Sequence, residues 1–292
     1  MSNSLLHVGY RKAGSTFIRD WFYTHPELKM GGMNINSEFC RYDYYEKRPK
    51  YFVFTDAFLL FKGNSPSRSI ANLKKYQRDT CLFLKELFPL GKVLLITRSP
   101  ETSIPSEYSE HIKNGGTLTF QELITNPEAI EYFIGYYDYN YSINLYNQTF
   151  GKENIIVLPM ELLESSPDVF ITTIEDRLGL LHHEFAYNKR NPSLPANKLA
   201  ALRKISMLVK RVSKLFGEYG NNILGSYISY LGKESYSNNK FPLLIGLVSL
   251  LSKQPTSNTI VPEDLVRKIK SNATVLKDYP EFQNYLAKYC LD

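Results

Sequence analysis

The chain has 292 residues, 43% hydrophobic and 22% charged, with 3 cysteines and a formal net charge of +6. That length can bury a large core, as one domain or one domain with an appendage, and the composition is that of a soluble globular protein. Cys40, Cys81 and Cys290 lie far apart without a C-x-x-C pair, so neither a disulfide framework nor a zinc site is indicated. The scattered positive charge favours an anionic ligand over nucleic acid.

In chain order, Leu5, Leu6 and Val8 read as a short buried strand, Gly9 to Ser15 as a turn, and Thr16 to Tyr23 as a helix with Phe17, Ile18, Trp21 and Phe22 near helical spacing. A strand that ends in a glycine turn and opens a helix aims backbone N–H groups and the positive end of the helix dipole at one spot, which suits an anion. Tyr51–Thr55 ("YFVFT") reads as a strand, "KGNSPSRS" (Lys62–Ser69) as a loop, and Ile70 to Leu87 as a long helix. "KVLLIT" (Lys92–Thr97) is an uninterrupted apolar run, the signature of a central strand buried on both faces. Asn114–Gly116 is a turn, Pro127–Phe150 is helical, Asn154–Pro159 is another parallel strand and Pro167–Leu178 another helix.

Strands alternating with helices predict an α/β fold with a central, mostly parallel sheet flanked by helices, whose ligands sit beyond the carboxyl ends of the strands. The turns after Val8 and after Thr97 both leave strands at that end and should face one crevice. Beyond about Leu181 the pattern loosens: His182 and His183 are adjacent, not four apart, and read as surface or loop residues rather than shared metal ligands. Asn188–Pro195 is a loop. Asn197–Phe216 is a helix with a basic face (Lys198, Arg203, Lys204, Lys210, Arg211, Lys214) and an apolar one (Leu199, Leu202, Ile205, Val209, Val212, Phe216). That pattern fits a solvated helix packed on the core, or a contact with a membrane surface or an acidic partner. Only Met1, Ser2 and Asn3 precede the first strand, and the longest apolar stretch, Phe241–Leu251, falls short of the about 20 residues a membrane span needs. The expectation is a cytoplasmic chain with, at most, a peripheral membrane contact.

"GYRKAGST" (Gly9–Thr16) differs from the nucleotide-triphosphate loop G-x-x-x-x-G-K-[ST] at its lysine, which precedes the second glycine as Lys12. Gly14 still lets the backbone approach an anion, Ser15 and Thr16 offer hydroxyls and amides, and Lys12 supplies a movable charge. The pattern G-x-x-K-[SA]-G-[ST]-[ST] resembles the 5′-phosphosulfate loop of sulfotransferases that use 3′-phosphoadenylyl sulfate (PAPS). "KVLLITRSPETSIPSEY" resembles the 3′-phosphate motif of the same family, with Arg98 at a strand end and Ser106 eight residues on. The resemblance extends through "EYSEHIKNGGTLTFQELI" and "FGKENIIVLPMELLESSPDVFITTIEDRLGL" and covers roughly residues 4 to 195. It resembles the bacterial and cyanobacterial sulfotransferases of that family.

The resemblance implies a P-loop NTPase-like sulfotransferase fold over residues 1–195, with a mainly helical region, 196–292, completing or covering the acceptor site. It implies that Arg11, Lys12, Ala13, Gly14, Ser15 and Thr16 hold the 5′-phosphosulfate, that Phe17 stacks on adenine, and that Arg98 and Ser106 hold the 3′-phosphate. PAPS is then the sulfuryl donor and PAP the product, with no metal, and Lys12 is catalytic at the bridging oxygen. The general base is expected just after the second core strand, at Asp56, with Glu38 behind it; no histidine competes nearby, and Glu107 and Glu110 stand too near the 3′-phosphate element. A C-terminal Arg-Lys-Gly loop is not evident, Lys189 and Arg190 being the nearest candidates. The acceptor is a hydroxyl, carbohydrate or glycolipid, and the tyrosine-rich Arg41–Phe52 could form a sugar-stacking wall. A nucleotide kinase or NTPase of related fold, and a non-catalytic PAPS- or PAP-binding homologue at a membrane surface, stand as alternatives. Pro105 should break the first turns of a helix that starts at Pro100, and sit harmlessly in one that starts at Ser103.

Overall fold

The computed structural model describes residues 3–31, 49–55, 60, 69–185, 195–216, 219, 221–222, 225–227, 229 and 259–291. Asp56, Glu38, Lys189, Arg190, Cys40, most of the tyrosine-rich 41–52 stretch, most of the 62–69 loop and the apolar 241–251 run therefore lie outside the described residues.

Among the described residues, five parallel strands form one sheet in the order β2-β3-β1-β4-β5: β1 Asn3–His7, β2 Leu28–Met30, β3 Tyr51–Thr55, β4 Lys92–Thr97 and β5 Ile155–Pro159. Apolar continuity decides the centre. Leu5, Leu6 and Val93 to Ile96 are wholly buried, as expected of strands covered on both faces. The three-residue β2, where only Leu28 is buried, makes a short edge that offers little template for unwanted pairing.

Helix α1 (Ser15–Thr24) follows β1, and α2 (Ile70–Leu87) joins β3 to β4. Ser69 caps α2 by accepting from the Asn72 amide. After β4 come α3 (Pro100–Lys113), α4 (Phe120–Thr125), α5 (Pro127–Tyr136) and α6 (Tyr139–Phe150). Thr119 and Glu122 form a reciprocal capping box on α4. The expected single helix over 127–150 is two, because the Asp138 carboxylate accepts from the Tyr141 amide and starts a new N-terminus. Residues 152–154 form a single 3₁₀ turn, so the strand expected from Asn154 begins one residue later, at Ile155. Helices α7 (Met160–Ser165) and α8 (Pro167–Leu178) follow β5, then α9 (Ala196–Leu215), α10 (Glu263–Lys270), two 3₁₀ turns (Thr274–Asp278, Pro280–Tyr285) and α11 (Leu286–Tyr289).

Helix α3 begins at Pro100 and runs through Pro105 without the expected break. Proline deprives one carbonyl of its donor, that of Glu101 four residues earlier. Glu101 is exposed in the first turn, where water can serve that carbonyl.

The chain divides into two compact units: residues 1–103, 127–190 and 263–292 form one, and 104–126 with 191–262 the other. The first holds the sheet. The second is built on the later part of α3, α4 and α9, where the Tyr108 ring meets the Phe120 edge at 5.3 Å and its hydroxyl donates to the Leu118 carbonyl. Among the described residues no helix is long and apolar enough to cross a membrane.

Candidate functional site

The order of the strands fixes where a ligand goes. From β1 the chain moves to the β3 side of the sheet, and from β4 it moves to the β5 side. Neighbouring strands whose connections diverge leave a crevice beyond their carboxyl ends. The Val8–Gly14 turn and the Arg98–Ser99 turn border that crevice.

The first turn is pinned to β4 by the Val8 and Tyr10 amides, which donate to the Leu94 and Ile96 carbonyls at 2.9 and 3.3 Å. Lys12, at φ 62°, and Gly14, at φ 75°, both adopt left-handed backbone. For lysine this conformation costs about 1–2 kcal/mol, a strain that concentrates at functional sites. Gly14 is the N-cap of α1 and brings no side-chain acceptor, so the amides of Ser15 and Thr16 fall in the turn that the helix's own ladder does not use. The φ of 75° favours glycine here, and a Cβ, 2.8 Å from Met160 Sδ and 2.9 Å from Leu163 Cδ2, would also push those two side chains aside.

Arg98 reaches the same turn. Its Nη1 donates to the Lys12 carbonyl at 2.6 Å and its Nε to Thr102 Oγ1 at 3.2 Å. A guanidinium carries five N–H donors, so the planar fork is oriented by the protein with donors to spare for a ligand. Tyr139 Oη donates to the Arg98 carbonyl at 2.5 Å and Tyr136 Oη accepts from the Arg11 amide at 2.7 Å. The Tyr10 ring packs among Tyr136, Tyr137 and Tyr139, with centroids 5.2, 6.3 and 4.9 Å away, and its hydroxyl pairs with Ser142 Oγ at 2.5 Å. Burial pushes the phenols of Tyr10 and Tyr139 up, so both stay protonated.

Behind the β4 turn lies a buried carboxylate. Glu161, on α7, accepts from the Ser99 amide at 3.0 Å through Oε1 and from the Tyr289 hydroxyl through Oε2. The Tyr289 hydroxyl also accepts from Thr97 Oγ1 at 3.3 Å, and Ser99 Oγ donates to the Lys288 carbonyl at 3.3 Å. The segment around residue 289 thus fixes the turn that presents Arg98.

His7 closes β1 beneath the loop. It is 1% exposed, its Nδ1 lies 2.7 Å from Thr55 Oγ1, and burial pulls its pKa down to about 4. Its Nε2 has no protein partner among the described residues and faces the Gly9 backbone. The sequence places no histidine near Asp56; the β1–β3 register brings His7 opposite Thr55, the residue just before it.

The structure therefore brings Arg11, Lys12, Ala13, Gly14, Ser15, Thr16 and Arg98 to one crevice. Phe17 lies on α1, half-buried, its ring edge-to-face with Phe185 at 5.3 Å. Ser106 lies farther along α3, within the second compact unit, and Glu107 and Glu110 follow it there. Thr102, Tyr136, Tyr139, Glu161 and Tyr289 were not anticipated. The dense tyrosines of "GYYDYNY" (Gly135–Tyr141) are the signal that could have marked two of them. Among the described residues, no group of His, Cys, Asp or Glu is placed to hold a metal.

No family model and no curated protein matches the sequence. Among solved structures, a sulfotransferase from Alicyclobacillus acidocaldarius superposes with a TM-score of 0.51 at 17% identity, over 78% of this chain and 96% of that one. Mouse sulfotransferase SULT7A1 complexed with PAP matches with a TM-score of 0.34 at 11% identity, over 70% of this chain and 64% of that one. The first likeness is one of fold: the chain has the P-loop-like α/β architecture of a sulfotransferase.

Proposed function

We propose that the chain is a PAPS-dependent sulfotransferase acting on a hydroxyl acceptor, carbohydrate or glycolipid. The observation that carries this reading is the 2.6 Å bond from Arg98 to the Lys12 carbonyl, which joins the two phosphate-type turns at the β1–β4 crevice. The donor set suits a phosphosulfate at one end and a phosphate at the other. A left-handed turn presents the Lys12 ammonium with the amides and hydroxyls of Ser15 and Thr16, and a prepositioned guanidinium stands beside it. A triphosphate loop would carry lysine where Ser15 stands.

When bound, PAPS supplies the sulfuryl group. Lys12 neutralises charge that develops on the leaving phosphate, and the loop amides with Ser15 and Thr16 hold the 5′-phosphate in line. Arg98, with Ser106, grips the 3′-phosphate, and Phe17 provides the face for adenine. Asp56 takes the acceptor's proton, with Glu38 behind it in that role. The acceptor's shape is read by the region 196–292.

Calorimetric titration with 3′,5′-adenosine bisphosphate, with ATP as the control and magnesium omitted, tests the donor. Micromolar binding of the bisphosphate, tighter than that of ATP, is expected. Losing a charged hydrogen-bond partner should cost Arg98→Ala about 10- to 100-fold in affinity. Equal binding of both nucleotides, or an unchanged Arg98→Ala, overturns the assignment.

A further inference from the structure

No residue of helix α9 is named in the proposed transfer chemistry, and two features meet on it. One is a cavity of about 550 Å³, lined by four cations of the helix, Arg203, Lys210, Arg211 and Lys214, against one carboxylate, Glu122. That volume is within the about 300–1,000 Å³ usual for small-molecule sites. Glu122 is committed elsewhere: its carboxylate accepts from the Thr119 amide at 2.6 Å and from the Thr119 hydroxyl at 2.8 Å. Arg203 is braced by donating to the Thr117 carbonyl at 3.3 Å, which fixes its head at the cavity wall. The pocket is strongly cationic, with Arg203 held at its wall and Lys210, Arg211 and Lys214 around it.

The second feature is an exposed stripe. Lys204, Leu208, Arg211 and Leu215 are spaced at helical intervals and share one face. Leu208 is 62% exposed, Leu215 81%, and just past the helix end Phe216 is 56% and Tyr219 80% exposed. The buried side of the helix, with Leu202, Ser206 and Ser213, is a different face. At about 100° per residue, the cavity residues Arg203, Lys210 and Lys214 adjoin the exposed stripe, and Arg211 belongs to both. Large apolar side chains in water beside a pocket of cations call for a partner that is apolar and anionic at once.

We infer that α9 docks on a membrane surface, taking an anionic phospholipid headgroup into its basic cavity while Leu208, Leu215, Phe216 and Tyr219 enter the acyl boundary. The phosphodiester meets Lys210, Lys214 and Arg203, which are half-buried or sit at the rim, and the apolar stripe lies at the depth where interfacial helices bury their side chains. The apolar run "FPLLIGLVSLL" (Phe241–Leu251) follows in the sequence, of a length common in interfacial segments. The inference is independent of the reaction assigned to the sheet.

Sedimentation with vesicles of phosphatidylcholine, with and without about one-third phosphatidylglycerol, tests it on the full chain. The protein should pellet with the anionic vesicles, and raised salt should release it. Lys210→Gln with Lys214→Gln should weaken that binding about 30-fold, from roughly fivefold for each lysine near an anionic surface. Leu208→Ser with Leu215→Ser should weaken it roughly 10-fold or more through lost apolar burial. These side chains are half-buried or exposed, and an unchanged circular-dichroism melt confirms that the variants stay folded. Failure to pellet, or pelleting untouched by both double variants, overturns the inference. Titration with glycerol phosphate that shows binding without any vesicle pelleting assigns the cavity to a free phosphate ester and overturns the membrane role.

Discussion

Replacing His7 with asparagine probes the floor of the loop through pH. The ring is fully buried and its pKa falls from the ordinary 6.5 to about 4, with desolvation the cause. Between those values the unfolded chain binds the proton that the folded chain refuses, so stability falls as pH drops from 6.5 toward 4 and is complete above 6.5. Integrating that difference removes roughly 2 kcal/mol between about pH 7 and pH 5, and roughly 3 by about pH 4. Asparagine can still meet Thr55 Oγ1 but cannot titrate. It should lower stability near neutral pH through the smaller side chain, yet flatten the pH dependence, so that the deficit shrinks as pH falls. Urea unfolding of both proteins at about pH 7 and pH 5 is the assay, the quantity read being the difference between their slopes with pH. Equal slopes would show that His7 is not held neutral by burial, and the reasoning about the β1 end would fail.

Four further outcomes follow from the site. Lys12→Ala should abolish transfer from PAPS while leaving the fold intact, measured by radiolabelled sulfate transfer beside a thermal melt. Gly14→Ala should lose roughly 2–4 kcal/mol in urea unfolding, since φ 75° strains any Cβ and Met160 Sδ stands 2.8 Å from it; a change below about 0.5 kcal/mol contradicts that geometry. Tyr289→Phe strands a buried Glu161 oxygen and should destabilise by about 1–3 kcal/mol; an unchanged melting temperature counts against the network. Phe17→Ala should cost about 1–3 kcal/mol of affinity for the adenine nucleotide, and retained calorimetric affinity would move the stacking surface elsewhere.

The sheet was legible where burial on both faces leaves an unbroken apolar run. Tyr51–Thr55 and Lys92–Thr97 match their strands residue for residue, and Ile70–Leu87 its helix. β2 was not, since Leu28–Met30 has one buried residue and no period to read. The split between α5 and α6 was hidden because apolar spacing continues across it, and only the Asp138 cap reveals the restart. In the crevice, the lysine and arginine turns announced themselves by residue type. Their supports did not: Glu161 meets Ser99 across 62 positions and Tyr289 across 128, separations that no local pattern encodes. Nothing in the spacing of Leu5, Leu6 and Val8 singles out His7, and only the register puts it beside the end of β3.

The clamp around residue 289 also sets a timetable for the nascent chain. Ser99 waits for the Lys288 carbonyl, a partner 189 positions away, and Glu161 waits for the Tyr289 hydroxyl. Synthesis runs from the N-terminus, and closing so long a loop costs entropy before the contact repays it. A ribosome-bound chain can assemble all five strands from residues 3–159 and still lack the back wall of its arginine turn. The final geometry of the arginine turn should therefore come as one late event rather than grow strand by strand.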